Sequence, residues 1–271
     1  MYTVLDLPVD DYGCVQLIIN HAYPEGVSCP WKQHSEVLVR EKYLWCRVCR
    51  RKWSLKRLLG FGHAKLSWRQ ILALVLGWVR KLSPGDILGM VGTSYETIQR
   101  WLERLRKRLP EDKGKLAGLV EIDQSYLGHK KHDNQLLVMG VVERETNEIR
   151  IQLIPDMEQD SVEGFLDEWV EPESLIHADA HTSHLSLEDV GYGLILCNHN
   201  RGHFGPTNRQ EGVWSSFDRF VIRTRVQFLK RFLPGILREF CARRNRPELF
   251  TDPLTFLTLT SNLDSCSGFV E

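Results

Sequence analysis

The sequence predicts an α/β fold preceded by two smaller segments, a zinc ribbon and a helix-turn-helix. Three observations carry this: a Cys46-Arg-Val-Cys49 knuckle in a loop-rich stretch, helical periodicity from 59 to 113, and strand patterns alternating with helix patterns from 114 to 246. The chain divides into a zinc-ribbon-like region (1–58), a helix-turn-helix segment (59–113), a mixed core (114–246) and a C-terminal tail (247–271).

Charge sorts the same segments. The 35 basic and 35 acidic residues cancel only in sum. Residues 29–115 hold 20 basic against 7 acidic residues, 116–200 hold 4 against 17, and 216–246 hold 9 against 2. Segregation of this kind points to a polyanion partner. With 42% hydrophobic and 26% charged residues the chain is not of the disordered class. Its longest apolar run, Ile71 to Val79, is about half of the roughly 20 residues a membrane span needs, so no membrane partner is expected. The first residues, MYTVLDLPVDDYG, lack the basic and apolar regions of a secretory leader. A reducing compartment is therefore the default, in which seven cysteines suggest metal ligands or free thiols.

In the first segment Cys29 and His34 precede Cys46 and Cys49, with strand-like residues from Glu36 to Trp45 between them. Two such knuckles converge thiolate and imidazole ligands on one tetrahedral Zn²⁺. Lys32 stands where a second thiolate of the first knuckle is expected, so His34 is the candidate fourth ligand. Free thiols on a hairpin are the competing reading. Arg50, Arg51 and Lys52, with Arg47, Lys56 and Arg57, suit phosphate contacts or a solvated face.

Ser67 caps a predicted helix whose apolar positions are Ile71, Leu72, Val75, Leu76 and Val79. A short helix from Asp86 to Val91 and a turn at Gly92-Thr93 lead to a helix capped by Ser94 and stopped by Pro110. Tyr95, Ile98, Trp101, Leu102 and Leu105 form its expected buried face. Thr97, Gln99, Arg100, Arg104 and Arg108 are left exposed, groups that reach base edges and phosphates in a major groove. A helical linker with a basic face is the plainer alternative.

The core opens with an alternating strand, Leu119 to Tyr126, that puts Glu121 and Asp123 on one face and Val120 and Ile122 on the other. Strands are predicted at 136–142 and 148–154, a helix at 159–170, strands at 175–178 and 193–197, and a helix from Thr207 and Asn208 bearing Glu211. If the strands ending near Asp123 and Asp179 are neighbours and that helix crosses their ends, three carboxylates converge. Oxygen ligands of this kind suit Mg²⁺ or Mn²⁺, and a pair of such ions serves phosphodiester chemistry.

Taken together, Cys46-Arg-Val-Cys-Arg-Arg-Lys-Trp-Ser54, the helix-turn-helix, Glu121-Ile-Asp-Gln-Ser-Tyr-Leu-Gly128, His177-Ala-Asp179 and Thr207-Asn-Arg-Gln-Glu-Gly-Val-Trp-Ser215 resemble, in this order, the DDE transposases of the Merlin superfamily and related bacterial insertion sequences. The resemblance covers about residues 27 to 246. It implies an RNase H-like catalytic core in which Asp123 lies on the first strand, Asp179 follows the fourth and Glu211 sits on the next helix. These three then hold the catalytic Mg²⁺ or Mn²⁺, with Zn²⁺ as a structural ion.

Two positions depart from that family: Lys32 in the first knuckle, and Asp218, seven residues after Glu211, where the family tends to carry lysine. Arg219 or Arg223 is the expected source of the missing charge. Further basic residues up to Arg246 track a DNA backbone or form a solvated helical surface, and His199, Asn200, Arg201 and His203 precede the Glu211 helix. The expected function is metal-dependent DNA strand cleavage and strand transfer at element ends, on double-stranded DNA and by a homo-oligomer. The alternative is a transposase-derived DNA-binding protein without catalysis. The expected location is the nucleus in a eukaryote and the cytoplasm or nucleoid in a bacterium.

Overall fold

Capping residues punctuate the N-terminal half of the chain and set its helices. In the computed structural model, residues 6–62, 64–112, 114–128, 135–179, 187, 191–197, 208–224 and 230–260 are described. They form two units, one of residues up to Arg108 together with those from Pro247 onward, the other Leu109–Arg246.

In the first unit the Asp10 carboxylate accepts from the Gly13 amide and opens α1 (Asp11–Ala22), which buries Cys14, Val15, Ile18 and Ile19. A three-stranded antiparallel sheet follows, of β1 (Val37–Val39), β2 (Leu44–Cys46) and β3 (Lys52–Trp53). After a short α2 (Leu55–Leu58), Ser67 and Gln70 form a reciprocal capping box on α3 (Trp68–Val79). Helix α3 is buried on nearly all sides, which its run of Ile, Leu, Val and Trp requires. Its neighbours are α1 and α4 (Pro84–Val91), and a Cβ on Gly77 would lie 2.7 Å from Ile87 Cγ1, so only glycine lets α3 and α4 approach this closely. Helix α4 starts two residues before its expected first residue because Ser83 caps it and Pro84 takes its first position, where no amide is needed. Gly92, at φ 68°, ends it, and Ser94 caps α5 (Tyr95–Lys107).

Three sequence expectations are corrected here. Tyr95 is 44% exposed rather than buried. Arg108 is not a free surface cation: its guanidinium donates to the Leu59 and Thr260 carbonyls and stacks 4.6 Å over Phe61. The described part of 247–271 is no tail. A 3₁₀ turn (Pro247–Phe250) leads to a helix, Pro253–Leu259, capped by Asp252, with Leu254, Phe256 and Leu257 buried. Phe250 and Phe256 pack edge-on against Trp78 at 5.4 and 4.7 Å.

In the second unit a meander of β4 (Leu119–Leu127), β5 (Leu136–Glu143) and β6 (Ile149–Leu153) joins two strands parallel to β4 and to each other, β7 (Leu175–Asp179) and β8 (Gly193–Cys197). The sheet order is β6-β5-β4-β7-β8. Period-two alternation splits its side chains between two cores. Val120, Ile122, Met139, Val141 and Ile176 meet Val162, Phe165 and Leu166 of α6 (Gln159–Trp169). On the other face Val138, Val142 and Ile149 meet Val213 and Phe217 of α7 (Asn208–Thr224), and Ile236, Leu237 and Phe240 of α8 (Leu233–Asn245). The alternation that points Val120 and Ile122 toward α6 necessarily points Glu121 and Asp123 toward α7. Phe217, Phe220 and Phe240, with centroids 5.1 to 6.4 Å apart, fasten α7 to α8. The edge of β6 is closed by Asn245, whose amide accepts from Ile149 N and donates to Ile149 O at 3.0 and 2.9 Å. The seven-residue helix Pro253–Leu259 is α9 in chain order.

Candidate active site

Parallel pairing sets Val120 opposite Ile176 and Glu121 opposite His177. Asp123 and Asp179 lie two residues further along their strands, beyond these pairs, and period-two alternation puts both on the face on which Glu121 lies. Helix α7 supplies Glu211 in its first turn. Asp123 is half-buried in this group. One carboxylate oxygen accepts from the Gln124 amide at 2.8 Å and the other from Trp214 Nε1 at 3.0 Å. Burial raises its pKa most, these two hydrogen bonds lower it, and the negative charges of Asp179 and Glu211 raise it further. Asp123 therefore senses the charge of both other carboxylates.

Such mutual repulsion is costly in the absence of a cation, and it fits the oxygen chemistry of a hard divalent metal. A carboxyl whose folded pKa is raised contributes stability below its ordinary range and loses that contribution as pH rises through the raised value. The metal-free protein is thus penalised at neutral pH. Mn²⁺ favours the ionised form, so its effect on Tm is expected to grow from acid to neutral pH, approaching about 2.7 kcal/mol at a hundredfold excess over Kd. Differential scanning fluorimetry across pH checks this, and a pH-independent shift would contradict it.

Trp214 is half-buried, and its indole N–H orients Asp123, a role that sequence reasoning did not assign. The signal for that role was its place three residues after Glu211, on the same helical face. Gly140, paired with Asp123 across β4 and β5, makes the contact possible. A Cβ there would lie 2.3 Å from Gln210 Nε2 and 3.0 Å from the Trp214 ring. Gly140→Ala is expected to displace α7 and to cost about 1–3 kcal/mol, readable as a fall in the denaturant midpoint.

Family comparison reads the same segment. The model of the ISXO2-like transposase domain matches residues 115–245. These residues are a DDE transposase domain. The fold is similar to that of the HTLV-2 integrase catalytic core domain in complex with magnesium (10% identity, 50% of this chain and 90% of that one, TM-score 0.34). It is similar also to the BIV integrase catalytic core (10%, 48% and 84%, 0.34) and to a chain of the simian T-cell lymphotropic virus intasome with PP2A regulatory subunit B56 gamma (12%, 64% and 68%, 0.36). A search of curated proteins finds no match.

In the transposase domain Asp218 is exposed, as are Arg219 and Arg223; Arg219 donates to Ser216 Oγ at 3.0 Å. His199, Asn200, Arg201 and His203 lie outside the described residues.

In the other unit Cys29, His34, Cys46 and Cys49 come together, all four ligand atoms within 4.8 Å of one another. Cys29 and Cys49 sulfurs are 3.6 Å apart, and Cys46 Sγ is 3.4 Å from His34 Nδ1. A tetrahedron with Zn–S of about 2.3 Å and Zn–N of about 2.0 Å has edges of roughly 3.5–3.8 Å, so the donor set fits zinc. Gln33, at φ 55°, turns the first knuckle so that His34 reaches the place a thiolate two residues earlier would take, and Cys29 and His34 are tied by a 2.8 Å backbone hydrogen bond. Arg50, at φ 59°, turns the second knuckle, which the Cys46 amide closes onto the Arg51 carbonyl.

The predicted DNA contacts divide by how firmly they are held. Arg50, Arg51 and Lys52 are exposed, with Arg51 5.1 Å from the Trp31 ring and Lys52 4.8 Å from that of Tyr43. On α5, Arg100 pairs with Glu96 at 3.4 Å, an exposed contact of little energy. Gln99 donates to the Tyr95 hydroxyl, and Thr97 shares a hydrogen bond with Ser94. Arg104 donates to the Phe61 carbonyl and stacks on Trp101 at 4.5 Å, which fixes its stem while leaving it exposed. Among the described residues no helix is long and apolar enough to cross a membrane.

Proposed function

We propose that the protein is a transposase that cuts DNA at the ends of a mobile element and joins the freed strand to a target. The observation that supports it most is the placement of Asp123 and Asp179 on neighbouring parallel strands, with Glu211 in the first turn of α7, inside a DDE transposase domain. Asp123, Asp179 and Glu211 would hold Mg²⁺ or Mn²⁺. When bound, these ions supply Lewis acidity to the phosphodiester and to its nucleophile, first water and then a 3′-hydroxyl. The chain's own part is positional. Gln124 N and Trp214 Nε1 fix the Asp123 carboxylate in one orientation, and the Phe217, Phe220 and Phe240 cluster holds the helix that presents Glu211. Arg219 and Arg223 neutralise substrate phosphates.

In the N-terminal unit Cys29, His34, Cys46 and Cys49 would hold a structural Zn²⁺. Arg50, Arg51 and Lys52 then contact phosphates, and α4 with α5 acts as a helix-turn-helix whose Thr97, Gln99, Arg100 and Arg104 face a major groove. Two element ends call for at least two copies of the chain, acting where the host's DNA lies. One observation favours a DNA-binding relative without catalysis: Asp218 places a carboxylate on the Glu211 helix where a phosphate would prefer a lysine.

The deciding experiment incubates the full chain with DNA carrying the element's inverted repeats and Mg²⁺ or Mn²⁺. Metal-dependent nicks at the repeat ends and a joined product support transposition. Cleavage without joining marks a nuclease, and binding alone marks the derived relative.

A further inference from the structure

Glu121 is, with Glu239, one of two buried carboxylates among the described residues of the domain that have no place in the metal-holding set, and it is the one that touches the Glu211 helix. Its two oxygens differ: Oε2 accepts hydrogen bonds, whereas Oε1 is buried with an ion-pair neighbour and no hydrogen-bond donor among the described residues. Oε1 lies 3.2 Å from Arg144 Nε, and Oε2 accepts from the amides of Arg209 and Gln210 at 2.8 and 3.1 Å. Those two amides belong to the first turn of α7, where donors have no partner within the helix and the helix dipole favours a negative charge. The next residue is Glu211. Arg209 closes the ring from the other side, its guanidinium donating to the Arg144 carbonyl and to Asn147 Oδ1 in the β5–β6 turn.

We propose that Glu121 is a positioning residue: its carboxylate, neutralised by Arg144, grips the amides that open α7 and so sets where Glu211 stands relative to Asp123 and Asp179. The inference rests on the reading of those three as metal-holding groups. Glu121 and Asp123 share a strand and a face, so one rigid segment of β4 carries both a metal-holding carboxylate and the anchor for the helix that brings another. A neutral amide at 121 keeps the shape and one acceptor oxygen but loses the charge that opposes Arg144 and attracts the helix dipole, and its NH₂ group takes the place of the other acceptor.

The test is Mn²⁺ binding to the full chain, followed by the electron paramagnetic resonance signal of the free ion, with DNA cleavage measured alongside. Glu121→Gln is expected to raise the Mn²⁺ concentration for half-saturation by roughly 10- to 100-fold. It is also expected to lower kcat while leaving KM for DNA within twofold, all well below the variant's melting temperature. Arg144→Ala, at the partly exposed end of the clamp, should shift Mn²⁺ binding in the same direction by a smaller factor. A folded Glu121→Gln that binds Mn²⁺ as the wild type does overturns the proposal. If Glu121→Gln fails to fold, Arg144→Ala decides by the same criterion. Glu211→Gln is the benchmark: should it and the wild type bind Mn²⁺ equally, the metal-holding reading itself fails, and the positioning role with it.

Discussion

Asp179→Ala is expected to reduce strand cleavage and joining on the order of 10³-fold, with DNA affinity within twofold of wild type. Asp179 is the carboxylate whose removal leaves the Trp214 indole and the first turn of α7 untouched. Asp123→Ala also frees the Trp214 indole, and Glu211→Ala alters the first turn of α7, which Glu121 holds. Asp179 ends β7, and its charge contributes to the raised pKa of Asp123. Removing it lowers the repulsion on Asp123, and the metal-free variant is expected to stay folded at the assay temperature. A gel assay on repeat-end DNA, a band-shift titration and a thermal melt report the three quantities. Loss of activity with preserved binding and stability isolates chemistry from folding; a variant that still cuts would falsify the role of Asp179.

Removal of zinc is expected to have the second largest effect, on the N-terminal unit. Strands β1 to β3 are two or three residues long, well short of what a small sheet needs to persist unaided. Cys46 is fully buried at the centre of the ligand set, and its sulfur accepts from the Cys49 amide at 3.4 Å. Zinc finger peptides draw about 10–16 kcal/mol from their ion, so Cys46→Ala or a strong chelator should release one Zn²⁺ per chain and melt the ribbon. The exposed cations Arg50, Arg51 and Lys52 then lose their common frame, and DNA affinity should fall at least tenfold. His34→Cys should instead retain zinc, because the turn at Gln33 already delivers that position to the metal. Zinc content by mass spectrometry and band-shift titration check both; unchanged binding after zinc loss would detach the ribbon from DNA recognition.

Elements with strong local signals were legible in the sequence. Ser67, Ser83 and Ser94 announce three helices because a side-chain cap is a local event. The alternation of β4 separates Val120 and Ile122 from Glu121 and Asp123 without knowledge of any partner strand. What escaped depends on tertiary partners. Tyr95 fits the helical period of a buried face, yet that face stops at Ile98. Arg108 looked like another basic surface residue because nothing local reveals the Leu59 and Thr260 carbonyls it serves. The commitment of Glu121 to the amides of Arg209 and Gln210 spans almost ninety positions, and spacing along a strand gives its face but not its ligand.

Helix α9 escaped for a further reason: seven residues are too few to display a period. Its return to Trp78 makes the transposase domain a guest, spliced into a host that closes only after the guest has been built. Chain shortened to residue 246 would keep Asp123, Asp179 and Glu211 intact. It would strip Trp78 of two aromatic partners and Arg108 of its carbonyl at Thr260, so the damage would fall on the unit bearing the ribbon and α5. Helix α9 is in this sense the keystone of the first unit, which cannot close until the residues that follow the transposase domain have been made.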